Sequence, residues 1–314
     1  PTYFTYSGTT SITISGYSGV NNVVIPSYIG NNPVRTISAD AFKNKSITTV
    51  VVPNTVTSIG YGAFQGCNSL TSITLPFIGS SRSVRSYIPN DSYSESSQLF
   101  GYIFGSTKDS STSNGTNLVY QGQSQNSGYR RYYIPSSLKT VTITDATGIS
   151  AYAFYGCDNL TSVTINSEVT AIYDYAFYKC SALTSIVVPY SVSTMGANVF
   201  ASCSSLNINC QIEELPSTWT STWNSSDRPV TWGYGIEKGT TTDGYKWMSI
   251  DGETVQIMGY EGTATMISIP STISGKSVAR IVANAFYGNT NLVSIEIPTS
   301  VQYIEANAFT GCTS

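Results

Sequence analysis

Apolar residues recur along this chain with a period of about 23 residues, and the clearest copy of the pattern spans residues 160–206. Shifting that stretch by one period places apolar side chains on apolar side chains, as in the pairs Leu160/Leu183, Val163/Ile186, Ile165/Val188, Phe177/Phe200 and Cys180/Cys203. A fixed period of this size is typical of solenoids, in which each repeat buries its apolar face against its neighbours. The pattern therefore predicts a stack of coils.

One complete copy of the repeat, Ile47–Cys67, shows the predicted order of elements. A strand is followed by a turn at Pro53, a short second strand and a helical turn that carries an Ala-Phe pair. In the first strand the inward apolar residues lie at positions one, four and six, and β-branched residues such as Thr49 and Val51 face outward, which predicts a parallel sheet with one buried and one exposed face. We predict a β-rich α/β solenoid with right-handed coils, whose outward sheet positions include Thr142, Thr164 and Val187.

Two segments that do not follow the period are predicted to cap the solenoid. Residues 1–36 alternate around a Ser-Gly-Thr-Thr turn, which predicts a β-hairpin that covers the open end of the first coil. The same pattern returns near residue 240, where residues 245–260 repeat the opening hairpin. We therefore predict a first array over residues 1–234 and a second cap with the start of a second array over residues 235–314.

An insertion over residues 77–131 interrupts the period of the first array. It is rich in Ser, Asn, Gly and Tyr, and it contains one apolar island, Leu99–Phe104. Insertions in a solenoid emerge on one face, which is often the binding face. The alternative is an elongated coil that packs on the array without a role in binding.

An aromatic element at residues 211–234 is predicted to close the first array. It holds Trp219, Trp223 and Trp232, three of the four Trp residues of the chain. The cluster is interpreted as a plug for the last coil, with a stacking platform for sugar rings as the alternative. The sequence stops where another strand would begin and would expose an unpaired edge, so we expect it to be part of a longer array.

Composition excludes several classes of function. Histidine is absent, which removes Ser-His-Asp and Cys-His catalysis and the usual zinc motifs. Charged residues make up only 11% of the chain, with 15 Lys and Arg residues and a net charge of −3, so no basic surface for nucleic acid is expected. The sequence contains no run of 18 apolar residues, so no membrane span is predicted.

The remaining candidate chemistry is interpreted as structural. Five of the six cysteines occupy one position of the repeat, which predicts a ladder of reduced, buried thiols bonded to the turn backbone: Cys67, Cys157, Cys180, Cys203 and Cys312. The acidic pair Glu213-Glu214 precedes the Trp cluster, and with Asp227 it is interpreted as part of a solvated loop. We predict no catalytic residue, no metal site and no cofactor.

The repeat resembles the BspA-like class of leucine-rich repeats, a family of bacterial surface proteins. The resemblance rests on the pattern L-T-S-I-x-I-P-x-x-V-T-x-I-x-x-x-A-F-x-x-C, with seven Ala-Phe or Val-Phe anchors at Phe42, Phe64, Phe154, Phe177, Phe200, Phe286 and Phe309. It implies a leucine-rich-repeat superhelix in a secreted or wall-attached protein. Some members adhere to host matrix proteins, host cells or other bacteria, and the family shares no catalytic residues.

These observations lead to one function hypothesis and two alternatives. We expect a non-enzymatic extracellular or cell-surface adhesin that binds a host or matrix protein, or another cell-surface protein. The predicted contact residues are five insertion tyrosines, followed by the three outward sheet residues: Tyr87, Tyr93, Tyr120, Tyr129 and Tyr132, then Thr142, Thr164 and Val187. The alternatives are a polysaccharide-binding protein that uses Trp219, Trp223 and Trp232, and a structural stalk.

Overall fold

The computed structural model describes residues 3–86, 97–106, 116–121 and 130–314. The chain divides into two compact units, Pro1–Trp232 and Gly233–Ser314, each with its own hydrophobic core.

The first unit begins with the hairpin predicted for its cap. Strands β1 (Phe4–Ser7) and β2 (Ile12–Tyr17) are antiparallel, and β2 pairs in parallel with β5 (Asn32–Ile37). Two short strands, β4 (Tyr28–Ile29) and β7 (Ser58–Ile59), flank β5. The cap thus continues a sheet that belongs to the coils.

Parallel strands with one buried face form the main sheet of the first unit. Five of them pair side by side: β3 (Asn21–Val24), β6 (Ile47–Val51), β8 (Ser72–Leu75), β11 (Thr140–Ile143) and β13 (Ser162–Thr164). Three more strands pair beyond them: β15 (Ser185–Val188), β17 (Asn207–Cys210) and β18 (Val230–Trp232). Neighbouring regular coils are 22 or 23 residues apart in register, so the predicted period is confirmed as the spacing of a β-solenoid.

A narrower sheet lies on a second side of the coils. It consists of two-residue parallel strands, β12 (Gly148–Ile149), β14 (Ala171–Ile172) and β16 (Thr194–Met195). Within the insertion, β9 (Thr116–Gln121) and β10 (Arg130–Pro135) form an antiparallel pair. Between the strands, tight turns carry the Ala-Phe anchors.

The predicted α/β character is wrong, because the described residues contain no α-helix. Helical geometry is confined to 3-10 turns at residues 97–98 and in the 3-10 helix Phe100–Phe104. Each Ala-Phe turn has two residues with positive φ four positions apart, such as Asn198 (54°) and Ser202 (61°). A residue in the left-handed region interrupts a right-handed helix, so the turn cannot extend into one.

A row of stacked phenylalanines runs through the core of the first unit. Phe154 and Phe177 stack with their ring centroids 5.2 Å apart, and Phe177 and Phe200 follow at 5.6 Å. All the anchors of this unit are fully buried. Burial of an aromatic side chain stabilises a fold by several kcal/mol when its removal would leave a cavity, so the anchors hold successive coils together.

The second unit repeats this plan on a smaller scale. Its strands are β19 (Glu237–Thr240), β20 (Tyr245–Ser249), β21 (Thr254–Tyr260), β22 (Met266–Ser268), β23 (Thr272–Ile273), β24 (Lys276–Ile281), β25 (Ser294–Glu296) and β26 (Tyr303–Ile304). The cap strands β19 to β21 are antiparallel, and β21 pairs in parallel with β24 as β2 does with β5. Phe286 and Phe309 stack at 5.1 Å in its core.

Candidate functional site

The Trp cluster closes the last coil of the first unit. Trp219 and Trp223 are 6% and 5% exposed, and their ring centroids lie 5.0 Å apart in an edge-to-face arrangement. Trp223 also packs against Phe200, and the indole N–H of Trp219 donates to the Val192 carbonyl at 3.3 Å. The half-buried Trp232 packs against both other indoles. The sugar-stacking alternative is wrong for Trp219 and Trp223, because their ring faces are covered by the core.

The recurring cysteines form the predicted ladder of thiols. The Sγ atom donates to the carbonyl of the Phe anchor one coil earlier in four cases: Cys67 to Phe42, Cys180 to Phe154, Cys203 to Phe177 and Cys312 to Phe286, at 3.0–3.2 Å. All six cysteines are free. Each of these carbonyl groups also accepts a backbone N–H from its own turn, so the thiol is a second donor to the same oxygen.

Burial makes Cys67, Cys157 and Cys180 poor nucleophiles, whereas the hydrogen bond with Cys180 lowers the pKa of Cys203. Desolvation raises the pKa of Cys67 and of Cys210 to about 12, and it raises the pKa of Cys157 and of Cys180 as well. Only a thiolate attacks an electrophile or binds a metal, so a protonated buried thiol has a structural role. The described residues contain no cluster of His, Cys, Asp and Glu suited to a metal ion.

The acidic pair before the Trp cluster does not form a site. Glu213 and Glu214 are exposed, in agreement with a solvated segment. Among the described residues, no helix combines the length and the apolar character needed to cross a bilayer. The remaining candidates for a binding site are the outward sheet face and the insertion of the first unit.

The outward face of the main sheet carries a ladder of small β-branched side chains. Thr74, Thr142 and Thr164 lie side by side in register, while the alternate residues of each strand are buried. Thr142 is half-buried, whereas Thr164 and Val187 are exposed. The structure thus places all three predicted sheet residues on one outward face, and their role as ligand contacts remains a prediction.

The insertion packs into the array through its inner side. Ile103 O accepts a hydrogen bond from Phe64 N–H at 2.9 Å, and Phe100 N–H donates to Ala153 O at 2.9 Å. These are the bonds that successive Ala-Phe turns make elsewhere, as between Phe154 N–H and Ala176 O. The 3-10 helix Phe100–Phe104 therefore takes the place of an Ala-Phe turn between the coils of Phe64 and Phe154.

A buried amide joins the insertion to the coil that follows it. Gln121 is fully buried, and its Oε1 accepts from Gly101 N–H at 2.8 Å. Its Nε2 donates to Ala153 O at 3.1 Å and contacts Cys157 Sγ at 3.4 Å. Each polar atom of this amide thus has a partner, as buried polar groups require.

The outer side of the insertion exposes apolar side chains in the strand pair β9–β10. Leu118 and Tyr120 are 40% and 45% exposed, whereas the alternate residues Val119 and Gln121 face the core. Tyr132 is wrong as a predicted contact residue, because it is 2% exposed and lies in the core. The other predicted tyrosines, Tyr87, Tyr93 and Tyr129, lie outside the described residues.

Four tyrosines stack on the turns of the two coils that follow. Tyr152 and Tyr175 stack at 5.1 Å, and Tyr155 and Tyr178 stack at 4.7 Å. Tyr175 and Tyr178 are half-buried, and Lys179 lies with its Nζ 5.6 Å from the centre of the Tyr178 ring. The cluster therefore combines aromatic rings with a cation on a partly exposed surface.

The stacked tyrosines adjoin the insertion. The amide N–H of Gly156 donates to Tyr178 O at 2.7 Å, and a side chain at Gly156 would lie 3.4 Å from Tyr120 O. We call the exposed and half-buried residues Leu118, Tyr120, Tyr175 and Tyr178 the tyrosine face.

The comparison with protein families identifies the repeat. A family model described as BspA type leucine rich repeat region matches residues 35–98, 125–218 and 255–314, in six copies. The matched segments cover more than half of the chain. This chain belongs to the BspA-type leucine-rich-repeat family.

Solved leucine-rich-repeat structures from bacteria also align with this BspA-type chain over nearly its whole length. A leucine-rich cell surface protein of Faecalibacterium prausnitzii is 24% identical, with 98% of this chain and 71% of that chain covered and a TM-score of 0.35. The T. pallidum leucine-rich-repeat protein is 18% identical, with coverages of 99% and 87% and a TM-score of 0.31. A Bacteroides ovatus leucine-rich-repeat protein is 20% identical, with coverages of 99% and 79% and a TM-score of 0.31. No curated protein matches the chain.

The BspA-type repeat contained a signal for the stacked tyrosines that the sequence analysis missed. The stretches A-Y-A-F-Y at 151–155 and D-Y-A-F-Y at 174–178 place tyrosines at the same two positions of successive coils. Tyr152 and Tyr175 have positive φ values of 60° and 56°, at a position where other coils have Asp40, Gly62, Asn198, Asn284 and Asn307. A bulky residue in this region is uncommon, so these two tyrosines stand apart from the structural pattern.

Proposed function

We propose that this chain is the protein-binding part of a non-enzymatic bacterial adhesin, which acts outside the cell or on its surface. The partner we infer is a host or matrix protein, or another cell-surface protein. The family supports a repeat scaffold, and the absence of His together with the protonated, buried thiols supports a role without catalysis.

The tyrosine face carries the proposal. Tyr120 projects from the strand β9, while Tyr175 and Tyr178 project from the Ala-Phe turn of a single coil, so that phenol groups from two separate parts of the array share one region. Tyrosine is enriched at binding hot spots because its ring buries a large apolar area while its hydroxyl group forms hydrogen bonds. The backbone strain at Tyr175 supports the same conclusion, because strain of this kind clusters at functional sites.

The test is binding of the purified chain to immobilised matrix proteins and polysaccharides at physiological salt. We expect saturable binding to at least one protein, and a loss of affinity of about tenfold or more in the variant Tyr120→Ala/Tyr178→Ala. The matched control is Thr142→Ala/Thr164→Ala on the outward sheet face, which should bind like the parent. Thermal unfolding establishes that both variants remain folded.

Three outcomes would redirect the proposal. If the sheet variant loses binding and the tyrosine variant does not, the sheet ladder is the contact surface. Binding to polysaccharides alone would contradict the assignment to a protein partner. Absence of binding to both panels would favour the structural stalk.

A further inference from the structure

An open groove lies in the cap of the second unit, between its hairpin and the first strand of its main sheet. The groove encloses about 550 Å³. Tyr245 and Tyr260 line it from the cap, and Met266, Ile267 and Ser268 of β22 line it from the sheet. We call it the second-cap groove.

One wall of the second-cap groove is an unpaired strand edge. On its other side, β22 pairs with β25: Thr265 O accepts from Ser294 N–H, and Ile269 N–H donates to Glu296 O. Because backbone groups alternate along a strand, those of Met266 and Ser268 point away from β25. Within the described chain, β22 has no second neighbouring strand. Such an edge is a template for an additional strand.

The cap occupies only one position of this edge. The Tyr245 hydroxyl donates to Ser268 O at 2.8 Å. Burial, together with Tyr260 and Asp243, raises the pKa of Tyr245 to about 12, so the hydroxyl keeps its proton over the physiological range. The edge beside Met266 remains open, and the Met266 side chain is 72% exposed. Methionine adapts its shape to varied partners, which suits it to a binding groove.

Two carboxylates give the second-cap groove its charge. Asp243 and Glu261 both line it, and the two segments are joined by the hydrogen bond from Glu261 N–H to Gly244 O at 2.8 Å. Lys246 pairs with Glu261 at 2.5 Å, with both side chains about half exposed. An exposed ion pair contributes little free energy, so an incoming cation can compete for Glu261.

The first unit contains the same groove without this charge. Its groove encloses about 400 Å³ and is lined by Phe4 and Tyr17 from the cap and by Asn22 and Val24 from β3. In the alignment of the two caps, Ser18 stands at the position of Glu261, and the described lining of this groove includes no carboxylate. The two grooves therefore occupy corresponding places in the two caps and differ in chemistry.

We propose that the second-cap groove binds an extended peptide segment that pairs with the open edge of β22 and places a Lys or Arg side chain against Asp243 and Glu261. The backbone of the peptide would bond to the groups beside Met266, and an apolar side chain would enter the groove beside Tyr245 and Tyr260. This site is independent of the binding proposed for the tyrosine face.

The test measures fluorescence anisotropy of two labelled peptides with the full chain. The probes are STVTRTVTS and the same peptide with Gln in place of Arg. We expect saturable binding of the Arg peptide, at least about fivefold weaker binding of the Gln peptide, and weaker binding of the Arg peptide at 0.5 M salt. The variant Asp243→Asn/Glu261→Gln should bind the two peptides with equal affinity.

A proline substitution separates edge pairing from charge attraction. Met266→Pro removes a donor that points away from β25, so the β22–β25 pairing is kept while the edge is blocked. We expect this variant to lose binding of the Arg peptide, and the matched variant Asn22→Pro in the first unit to bind it like the parent. The proposal is overturned if the Arg peptide shows no binding up to about 1 mM protein, or if Asn22→Pro and Met266→Pro have equal effects.

Discussion

Two kinds of coil can be compared in the first unit: the regular coils over residues 149–203 and the coil that carries the insertion. Their buried sides make the same contacts, whereas their exposed sides differ. In the regular coils, an Ala-Phe turn joins its neighbours through one backbone bond and one stacked ring. At the insertion, the 3-10 helix Phe100–Phe104 forms the equivalent bonds, and Phe100 packs 4.9 Å from Phe154. Outside, the insertion adds the strand pair β9–β10 with exposed apolar residues.

The comparison shows where a solenoid tolerates new sequence. A coil must bury its apolar residues and satisfy its backbone on both neighbouring coils, and any segment that meets these two demands can replace the repeat. The outer residues meet neither demand and are therefore free to vary. Binding residues are accordingly expected on exteriors such as the tyrosine face.

The largest predicted effect compares the anchors of the two regions. Phe100→Ala and Phe177→Ala should each lower the free energy of unfolding by about 3–5 kcal/mol, because both remove a fully buried ring and leave a cavity. Equilibrium denaturation of the two variants provides the measurement. A cost below about 1 kcal/mol for Phe100→Ala alone would show that the insertion is only loosely attached.

A smaller effect is expected at the amide that joins the insertion to the next coil. Gln121→Leu should cost about 1–3 kcal/mol, because it leaves Gly101 N–H without its buried acceptor and removes one of the two donors to Ala153 O. Denaturant titration measures this cost. The neighbouring Asn117 belongs to β9 as well but lies near its start, so the exposed Leu118→Gln is the better control and should be nearly neutral.

Alkaline pH should weaken the thiol ladder of the first unit. The folded-state pKa of Cys67 is raised to about 12, so its proton is released on unfolding above the ordinary thiol pKa near 9. Its contribution to stability is full below about pH 9 and is lost as the pH rises towards 12, by about 1.4 kcal/mol per pH unit. Denaturation between pH 8 and 11 should therefore show a shallower pH dependence in Cys67→Ala than in the parent. Equal slopes would contradict burial of this thiol.

The smallest stability effect is expected on the exterior. Tyr120→Ala should change the free energy of unfolding by less than about 0.5 kcal/mol, because its side chain is 45% exposed. The same change should lower binding to the protein partner. A large loss of stability would mean that Tyr120 belongs to the packed part of the insertion.

The repeat was predictable because burial of one face imposes a period on the apolar residues. The conformation of the Ala-Phe turns was predicted wrongly, for a physical reason. The Ala-Phe turns were expected to be helical, but Gly66, Gly156 and Asn198 adopt positive φ and stop a helix within one turn. Gly and Asn at these positions are visible in the sequence, and they could have predicted that the turns do not extend into helices.

The insertion was less predictable because it follows no period. The apolar island Leu99–Phe104 was recognised, yet its place between Phe64 and Phe154 depends on backbone bonds between distant residues. Tyr132 was assigned to the surface, although in β10 it alternates with the half-buried Tyr133 and faces the core. Alternation along a strand does not reveal which face is buried when both contain aromatic residues.

The insertion replaces one Ala-Phe turn and is an integral part of the array. Hydrogen exchange of the Phe64 and Phe100 amides tests it directly, because these amides donate to Ile103 O and Ala153 O across the junction. We expect protection factors within about tenfold of those at Phe154 and Phe177, which make the corresponding bonds in the regular coils. Exchange of Phe64 and Phe100 at the rate of an exposed amide, while Phe154 and Phe177 stay protected, would contradict it.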